Sequence, residues 1–308
     1  MEHVISLIGN PEKPALAPEI AEIARAVLHE RGAAPKPVAW LAPGLAAEIV
    51  FDTQTQLRAN DAHAAVRQRL EGMPVDVNEL PLDGRRKGLL VADMESTIIR
   101  NEMLDELADY VGMKDKVADI TARAMNGELD FADAVRERVA LLKGLPATVL
   151  NEAMLRVEIM PGARPLVATM RANGAFCALV SGGFGFFTRN IRTMLGFDYE
   201  QANELDTDGR ALLGTVREPI LDRNAKLEAL KALAGQASLD LAQSMAVGDG
   251  ANDLPMLQAA GLGVAYRAKP SVAAAAKIRV NHGDLTALLY LQGYRQDEFI
   301  GTEDYVPD

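Results

Sequence analysis

The chain contains almost no cysteine and no long apolar run. Cys177 is the single cysteine among 308 residues, so an internal disulfide and a cysteine-pair metal site are excluded. The four histidines are too scattered to indicate a zinc motif. No stretch approaches the ~18 apolar residues of a membrane span, and the first residues lack the basic and apolar segments of a signal peptide. We therefore predict a soluble, cytoplasmic protein.

Positive charge is also scarce. The chain has 32 basic against 43 acidic residues and a formal net charge of −11. Such a surface repels phosphate backbones, which argues against nucleic acid and anionic membranes as partners. The apolar share of 49% and the charged share of 24% are those of a globular protein, and the length suits two modules.

The first eighty residues alternate short strands with helices. The order strand, helix, strand, strand, helix, strand predicts a ferredoxin-like fold. The predicted elements are a strand at 4–8, a helix with the stripe Leu16, Ile20, Ile23 and Val27, a hairpin of strands at 38–41 and 46–51, a helix at 62–70 with Asp61 as N-cap, and a strand at 75–80.

From residue 88 onward, short apolar strands alternate with helices, which predicts a parallel sheet covered on both faces. The predicted strands are at 89–92, 176–180, 244–247 and 263–266. Three of them end in polar groups, namely Asp93, Ser181-Gly182-Gly183 and Gly248-Asp249-Gly250. Ligands bind beyond the carboxyl ends of such strands, so these groups form the candidate site.

A helical segment at about 101–160 is longer than one crossover helix requires, and we interpret it as a cap inserted above the strand ends. The predicted division is 1–84 for the ferredoxin-like domain, 85–295 for the parallel-sheet core with its cap, and 296–308 for an acidic tail. Phe131 is expected to pack inside the cap.

The acidic residues at the strand ends suggest phosphoryl transfer. Asp93, Glu95, Asp249 and Asp253 would repel one another unless a cation lay among them, and oxygen ligands favour Mg²⁺. Lys226 could add a positive charge. A carboxylate in this setting can attack phosphorus and form an aspartyl phosphate.

Four segments resemble, in order, the motifs of haloacid dehalogenase superfamily phosphatases. They are residues 93–97 (Asp-Met-Glu-Ser-Thr), Ser181-Gly182-Gly183, Lys226 and residues 248–253 (Gly-Asp-Gly-Ala-Asn-Asp). With Glu102 and Arg138 in the cap, the chain resembles more narrowly the phosphoserine phosphatase family of proteobacterial type, whose first domain is ACT-like. This resemblance implies hydrolysis of O-phospho-L-serine to L-serine and phosphate, the last step of serine biosynthesis.

The resemblance also implies individual roles. Asp93 would be the nucleophile and a metal ligand, and Glu95 the general acid/base that gives its backbone carbonyl to Mg²⁺. Asp249 and Asp253 would complete the metal site. The residues expected to bind the substrate are Ser181, Gly182, Gly183, Lys226 and Asn252 at its phosphate, and Glu102 and Arg138 at its ammonium and carboxylate.

Glu95 departs from the family, which has aspartate at this position. The extra methylene moves the carboxyl outward, and a displacement of ~1 Å can cost roughly 100-fold in rate. Our hypothesis is a working enzyme whose cap or backbone absorbs the longer side chain. The alternatives are a phosphatase or phosphotransferase for another small phosphorylated amino acid, and a catalytically weakened binding protein. The expected partner is the small-molecule substrate, and a homodimer is left open.

Overall fold

The computed structural model describes residues 2–13, 16–52, 59–125 and 128–302 of the chain. Its strands are β1 (Glu2–Ile8), β2 (Ala34–Pro35), β3 (Ala39–Ala42), β4 (Ala46–Asp52), β5 (Asp76–Pro81), β6 (Leu89–Ala92), β7 (Phe176–Phe184), β8 (Tyr199–Asn203), β9 (Leu205–Thr207), β10 (Leu212–Val216), β11 (Ser244–Gly248), β12 (Leu262–Tyr266) and β13 (Ile278–Val280). Its α-helices are α1 (Pro18–Glu30), α2 (Ala59–Arg69), α3 (Met103–Tyr110), α4 (Lys114–Met125), α5 (Phe131–Ala140), α6 (Val149–Met154), α7 (Ala163–Ala172), α8 (Gly185–Leu195), α9 (Arg223–Gln236), α10 (Leu254–Ala259), α11 (Pro270–Ala275) and α12 (Ala287–Leu291).

The part of the first module that the structure describes is an antiparallel sheet with two helices. Its strand order is β2-β4-β1-β5, with β3 also paired to β4, which confirms the ferredoxin-like prediction. The ACT-like relationship stays a prediction. Helix α2 begins at Ala59, so the prediction that Asp61 caps it is wrong. Asp61 lies instead in the first turn, where a carboxylate also interacts favourably with the helix dipole.

Strand β1 is buried on both faces from Val4 to Ile8. Ile5 and Leu7 pack in the core formed with the helices of the first module. Val4 and Ile8 point to the other face and join the large core shared with the second module. Because side chains alternate between the two faces of a strand, β1 contributes to two hydrophobic cores.

The second module contains a six-stranded parallel sheet in the order β13-β12-β11-β6-β7-β8. The four predicted strands are present, and the sequence pattern missed the edge strands β8 and β13. Strand β7 extends to Phe184, so Ser181-Gly182-Gly183 lie within its last residues rather than after it. Asp93 continues the central ladder, since its N–H donates to the carbonyl of Val247 at 3.0 Å.

Among the described residues between β6 and α7 there are four helices, α3 to α6, as the cap prediction requires. Their apolar residues, including Met103, Leu107, Val135 and Val139, belong to the same core as the central strands. The numerical domain boundaries stay predictions, and residues 303–308 of the acidic tail lie outside the described residues. Within the described ranges, no helix combines the length and apolarity needed to cross a bilayer.

Two buried side chains of β5 fasten the modules together. Asp76 accepts hydrogen bonds from the backbone N–H groups of Asn281 and Gly283, both at 2.8 Å, and of His282 at 3.0 Å. Asn78 Nδ2 donates a hydrogen bond to the Arg279 carbonyl at 2.8 Å, and Asn78 Oδ1 accepts one from the Arg279 N–H at 2.9 Å. The first module is therefore bound to the edge of the second sheet through polar bonds as well as apolar contacts.

Candidate active site

Three carboxylates meet at the carboxyl edge of the two central strands. Asp93 follows β6, and Asp249 and Asp253 follow the adjacent parallel strand β11. One oxygen from each lies within 4.8 Å of the others. The side chains are buried, with 5%, 8% and 0% of the surface of Asp93, Asp249 and Asp253 exposed. Such a set of oxygen donors fits a hard divalent cation.

Lys226 is the positive charge among these carboxylates. Asp222 caps α9 by accepting hydrogen bonds from the N–H groups of Asn224 and Ala225, which places Lys226 in the first turns of the helix. The Lys226 Nζ lies 2.6 Å from Asp93 Oδ1 and 2.6 Å from Asp253 Oδ1. Burial alone lowers the pKa of Lys226, but the two carboxylates raise it above its ordinary value, so the ammonium stays charged.

One ammonium does not balance three carboxylates. Burial raises the pKa of Asp93 to about 7, and the nearby charge of Asp253 adds to this effect. The pKa of Asp249 is raised to about 6 by burial and again by Asp253. The site therefore has excess negative charge, which an additional cation would compensate.

Glu95 reaches toward the cap rather than into the carboxylate cluster. Its Oε1 accepts a hydrogen bond of 2.8 Å from the backbone N–H of Met103, at the start of α3. Its carboxyl also lies against Gly183, where a Cβ atom would stand 2.9–3.0 Å from it. Gly183 thus provides the room that the extra methylene needs. Burial raises the pKa of Glu95 to about 8, with a further contribution from the charge of Glu102.

The end of β7 is held in a fixed conformation. The Gly183 N–H donates to Ser181 Oγ at 3.0 Å, and Asn203 Nδ2 donates to the Gly182 carbonyl at 2.7 Å. Asn203 is buried, and its Oδ1 accepts from the Leu221 N–H at 2.8 Å. Asn203 was not identified as a site residue from the sequence. The feature that could have identified it is its position as a polar residue at the end of a strand, at the same sheet edge as the other site residues.

Glu102 and Arg138 both lie on the cap side of Glu95. Glu102 is exposed next to α3, and its Oε1 accepts a hydrogen bond of 2.7 Å from Ser96 Oγ. Arg138 on α5 is half-buried and lies near Glu95, Asp105 and Glu102, whose charges offset the lowering of its pKa by burial. An acid and a guanidinium thus face the same region.

Phe131 and Asn252 complete the surroundings. Phe131 is 36% exposed, and its Cζ lies 3.7 Å from the position of a Cβ on Gly182. The expectation that Phe131 packs inside the cap is therefore wrong. Phe131 is the first residue of α5, and its ring lies against the end of β7. Asn252 is half-buried in the loop between Asp249 and Asp253. Every predicted site residue lies at this sheet edge or on the cap beside it, and the individual roles stay predictions.

Comparisons with known proteins agree with this geometry. A family model described as haloacid dehalogenase-like hydrolase matches residues 90–258. A phosphoserine phosphatase from Lactococcus lactis is 43% identical over 203 residues, covering 66% of this chain and 94% of that protein. A phosphoserine phosphatase from Streptomyces coelicolor is 43% identical over 238 residues, covering 77% of this chain and 58% of that protein. Thus the chain spans little more than half the length of some curated relatives that it matches.

The structure of a probable phosphoserine phosphatase from Vibrio cholerae superposes with a TM-score of 0.76 at 32% identity, covering 96% of this chain and 88% of that one. The chain belongs to the haloacid dehalogenase-like hydrolases. Because it matches nearly all of the Lactococcus lactis protein at 43% identity, it belongs, within this class, to the phosphoserine phosphatase family.

Proposed function

We propose that the chain hydrolyses O-phospho-L-serine to L-serine and phosphate through an aspartyl phosphate on Asp93. The observation that carries this proposal is the buried Asp93 carboxylate, held 2.6 Å from Lys226 within a cluster of three carboxylates. The names of the relatives support the substrate, which would make the reaction the last step of serine biosynthesis.

The first half of the reaction is the attack of an Asp93 oxygen on phosphorus. The bond between phosphorus and the serine oxygen breaks, and Glu95 donates the proton that the leaving oxygen requires. A pKa of about 8 keeps Glu95 protonated near neutral pH, as a general acid must be. In the second half, Glu95 takes a proton from water, the water oxygen attacks phosphorus, and the bond to Asp93 breaks.

The residues around Asp93 bind the phosphate. Lys226 and the Ser181-Gly182-Gly183 segment would bind the phosphate oxygens, and Asn252 would lie beside them. Mg²⁺ would be held by Asp93, Asp249, Asp253 and the backbone carbonyl of Glu95. When bound there, it supplies the positive charge that the carboxylates and a phosphate dianion require. Catalysis of this type consists mainly of positioning and charge stabilisation.

The end of the substrate opposite its phosphate determines which class of phosphate ester fits the site. Phosphoserine carries an ammonium and a carboxylate at its α-carbon, and Glu102 and Arg138 offer the two complementary charges. A phosphate ester without these groups would offer neither side chain a complementary charge. This pairing favours a phosphorylated amino acid over other small phosphate esters.

Phosphate release from O-phospho-L-serine tests the proposed activity. We expect turnover with Mg²⁺ and its loss in excess EDTA, measured as inorganic phosphate over time. O-phospho-L-threonine and p-nitrophenyl phosphate serve as comparison substrates. Binding of phosphoserine without turnover would instead support a weakened binding protein, and faster turnover of another phosphorylated amino acid would reassign the substrate.

Arg138→Ala tests the assignment of the substrate carboxylate. Because a hydrogen bond to a charged group contributes ~1.5–3 kcal/mol, we expect KM for phosphoserine to rise by about 10-fold or more. The KM for p-nitrophenyl phosphate should stay unchanged. Arg136→Ala is the matched control, since Arg136 is exposed on the same helix and paired with Glu218. Equal effects of Arg138→Ala on both substrates would contradict the assignment.

Glu95→Asp tests whether the longer side chain is suited to this site. The shorter carboxyl cannot keep both its position beside Gly183 and its hydrogen bond to the Met103 N–H. We expect kcat to fall by roughly 100-fold, the cost of a displacement of ~1 Å. A large rise in kcat would show that glutamate at this position supports slower turnover than aspartate does.

The cytoplasmic location and the oligomeric state stay predictions.

A further inference from the structure

A cavity of about 460 Å³ lies between the two modules, away from the site described above. The charged and polar residues along its wall are Arg67, Gln68, Glu71, Asp76, Arg279, Asn281 and His282. The first module contributes α2, the following turn and β5, and the second contributes β13 and the loop after it. Its volume is within the ~300–1,000 Å³ range of small-molecule sites. Sequence reasoning assigned no role to any of these residues.

Two residues of this wall, Arg67 and Arg279, carry guanidinium groups that can bind an anion. Within the described part of the chain, neither Arg67 nor Arg279 forms an ion pair, whereas Arg69 on the same helix is paired with Glu30 at 3.2 Å. Arg279 is half-buried, and its Nε donates only a long bond of 3.4 Å to the Ala276 carbonyl. Burial lowers the pKa of Arg279, and the charge of Arg67 lowers it further, so the two guanidiniums repel each other.

The wall also holds the carboxylates of Glu71 and Asp76, and among the described residues neither forms an ion pair with Arg67 or Arg279. Both oxygens of Asp76 are occupied by the backbone N–H groups of Asn281, His282 and Gly283. Glu71 is exposed in the turn that directly follows α2. Both guanidinium groups are thus available to an anion that enters the cavity.

We propose that this cavity binds a small oxyanion with at least two negative charges, of the phosphate or dicarboxylate type, between Arg67 and Arg279. Each guanidinium is a planar fork that binds two oxygens of such an anion. Because Arg67 belongs to the first module and Arg279 to the second, the anion bridges the modules and removes the repulsion between the two arginines. The proposal does not depend on the proposed function, since it uses none of the residues at the active site.

Isothermal titration calorimetry of the full chain, dialysed beforehand to remove divalent cations, tests this site. Inorganic phosphate and malonate are the two probes, and chloride is the monovalent comparison. We expect one phosphate or malonate to bind per chain, and Arg67→Ala and Arg279→Ala each to weaken binding by about 10-fold or more. Arg69→Ala should bind as the unmodified chain does. The relative affinity for phosphate and malonate identifies the preferred type of anion.

Arg279→Lys keeps the positive charge but lacks the planar guanidinium that binds two oxygens of an anion. It provides a second variant if the alanine substitution disturbs folding. Its affinity should be intermediate, with an unchanged circular dichroism spectrum. Anion binding that neither arginine affects would place the anion outside this cavity and overturn the proposal. Failure of both probes to bind, or an equal loss in Arg69→Ala, would overturn it as well.

Discussion

Asp93→Asn is expected to lower kcat for phosphoserine by ~10⁵-fold or more, the scale seen when a catalytic nucleophile is removed. The amide has no negative charge to attack phosphorus, although it has nearly the same shape. Phosphate release measures the loss, and acid quenching of a reaction with ³²P-labelled phosphoserine should trap label on the unmodified chain but not on the variant.

The same variant supplies its own folding control. Asparagine at position 93 removes one of three buried carboxylates that lie close together. In EDTA, its midpoint of urea unfolding should therefore equal or exceed that of the unmodified chain, since like charges no longer repel. Retained turnover together with trapped label would show that the nucleophile is a different residue.

Lys226→Met is expected to reduce both activity and stability. Losing one preorganised charge at the transferred phosphate should lower kcat by about 10³-fold. The free energy of unfolding in EDTA should fall by about 3–5 kcal/mol, because Asp93 and Asp253 lose the ammonium that lies 2.6 Å from each. Added Mg²⁺ should restore part of this stability by binding only the folded chain.

Lys231→Met is the matched control, because Lys231 lies on the same helix, is exposed, and pairs with Glu228 at 3.0 Å. It should keep both its activity and its stability within about 0.5 kcal/mol. Should Lys226→Met unfold at the same urea concentration as Lys231→Met, the buried ammonium would not be holding the carboxylates in place.

The sequence pattern predicted the central part of the fold well. Buried parallel strands are continuous apolar runs, and those at 89–92 and 244–247 coincide closely with β6 and β11. The edge strand β8 was missed for the same physical reason. Strand β8 has the sequence Tyr-Glu-Gln-Ala-Asn and is mostly half-buried, so its residues carry no apolar signal.

The candidate site was predictable where residues follow strand ends, as with Asp93 and Asp249. Side-chain direction was not predictable in the same way. Periodicity could not show that Phe131 faces the end of β7, or that Asn203 binds the Gly182 carbonyl. Arg67 and Arg279 are 212 residues apart in numbering and line one cavity because β5 is joined to the second module, in part through Asp76 and Asn78.

The contact between Glu95 and Gly183 constrains how this site can change during evolution. A methyl group at position 183 would displace the Glu95 carboxyl from the Met103 N–H, whereas a side chain shorter by one carbon at position 95 would leave that space free. Glutamate can thus arise at position 95 by a single replacement in an ancestor that already has glycine at 183. The opposite order passes through an intermediate in which the two residues clash.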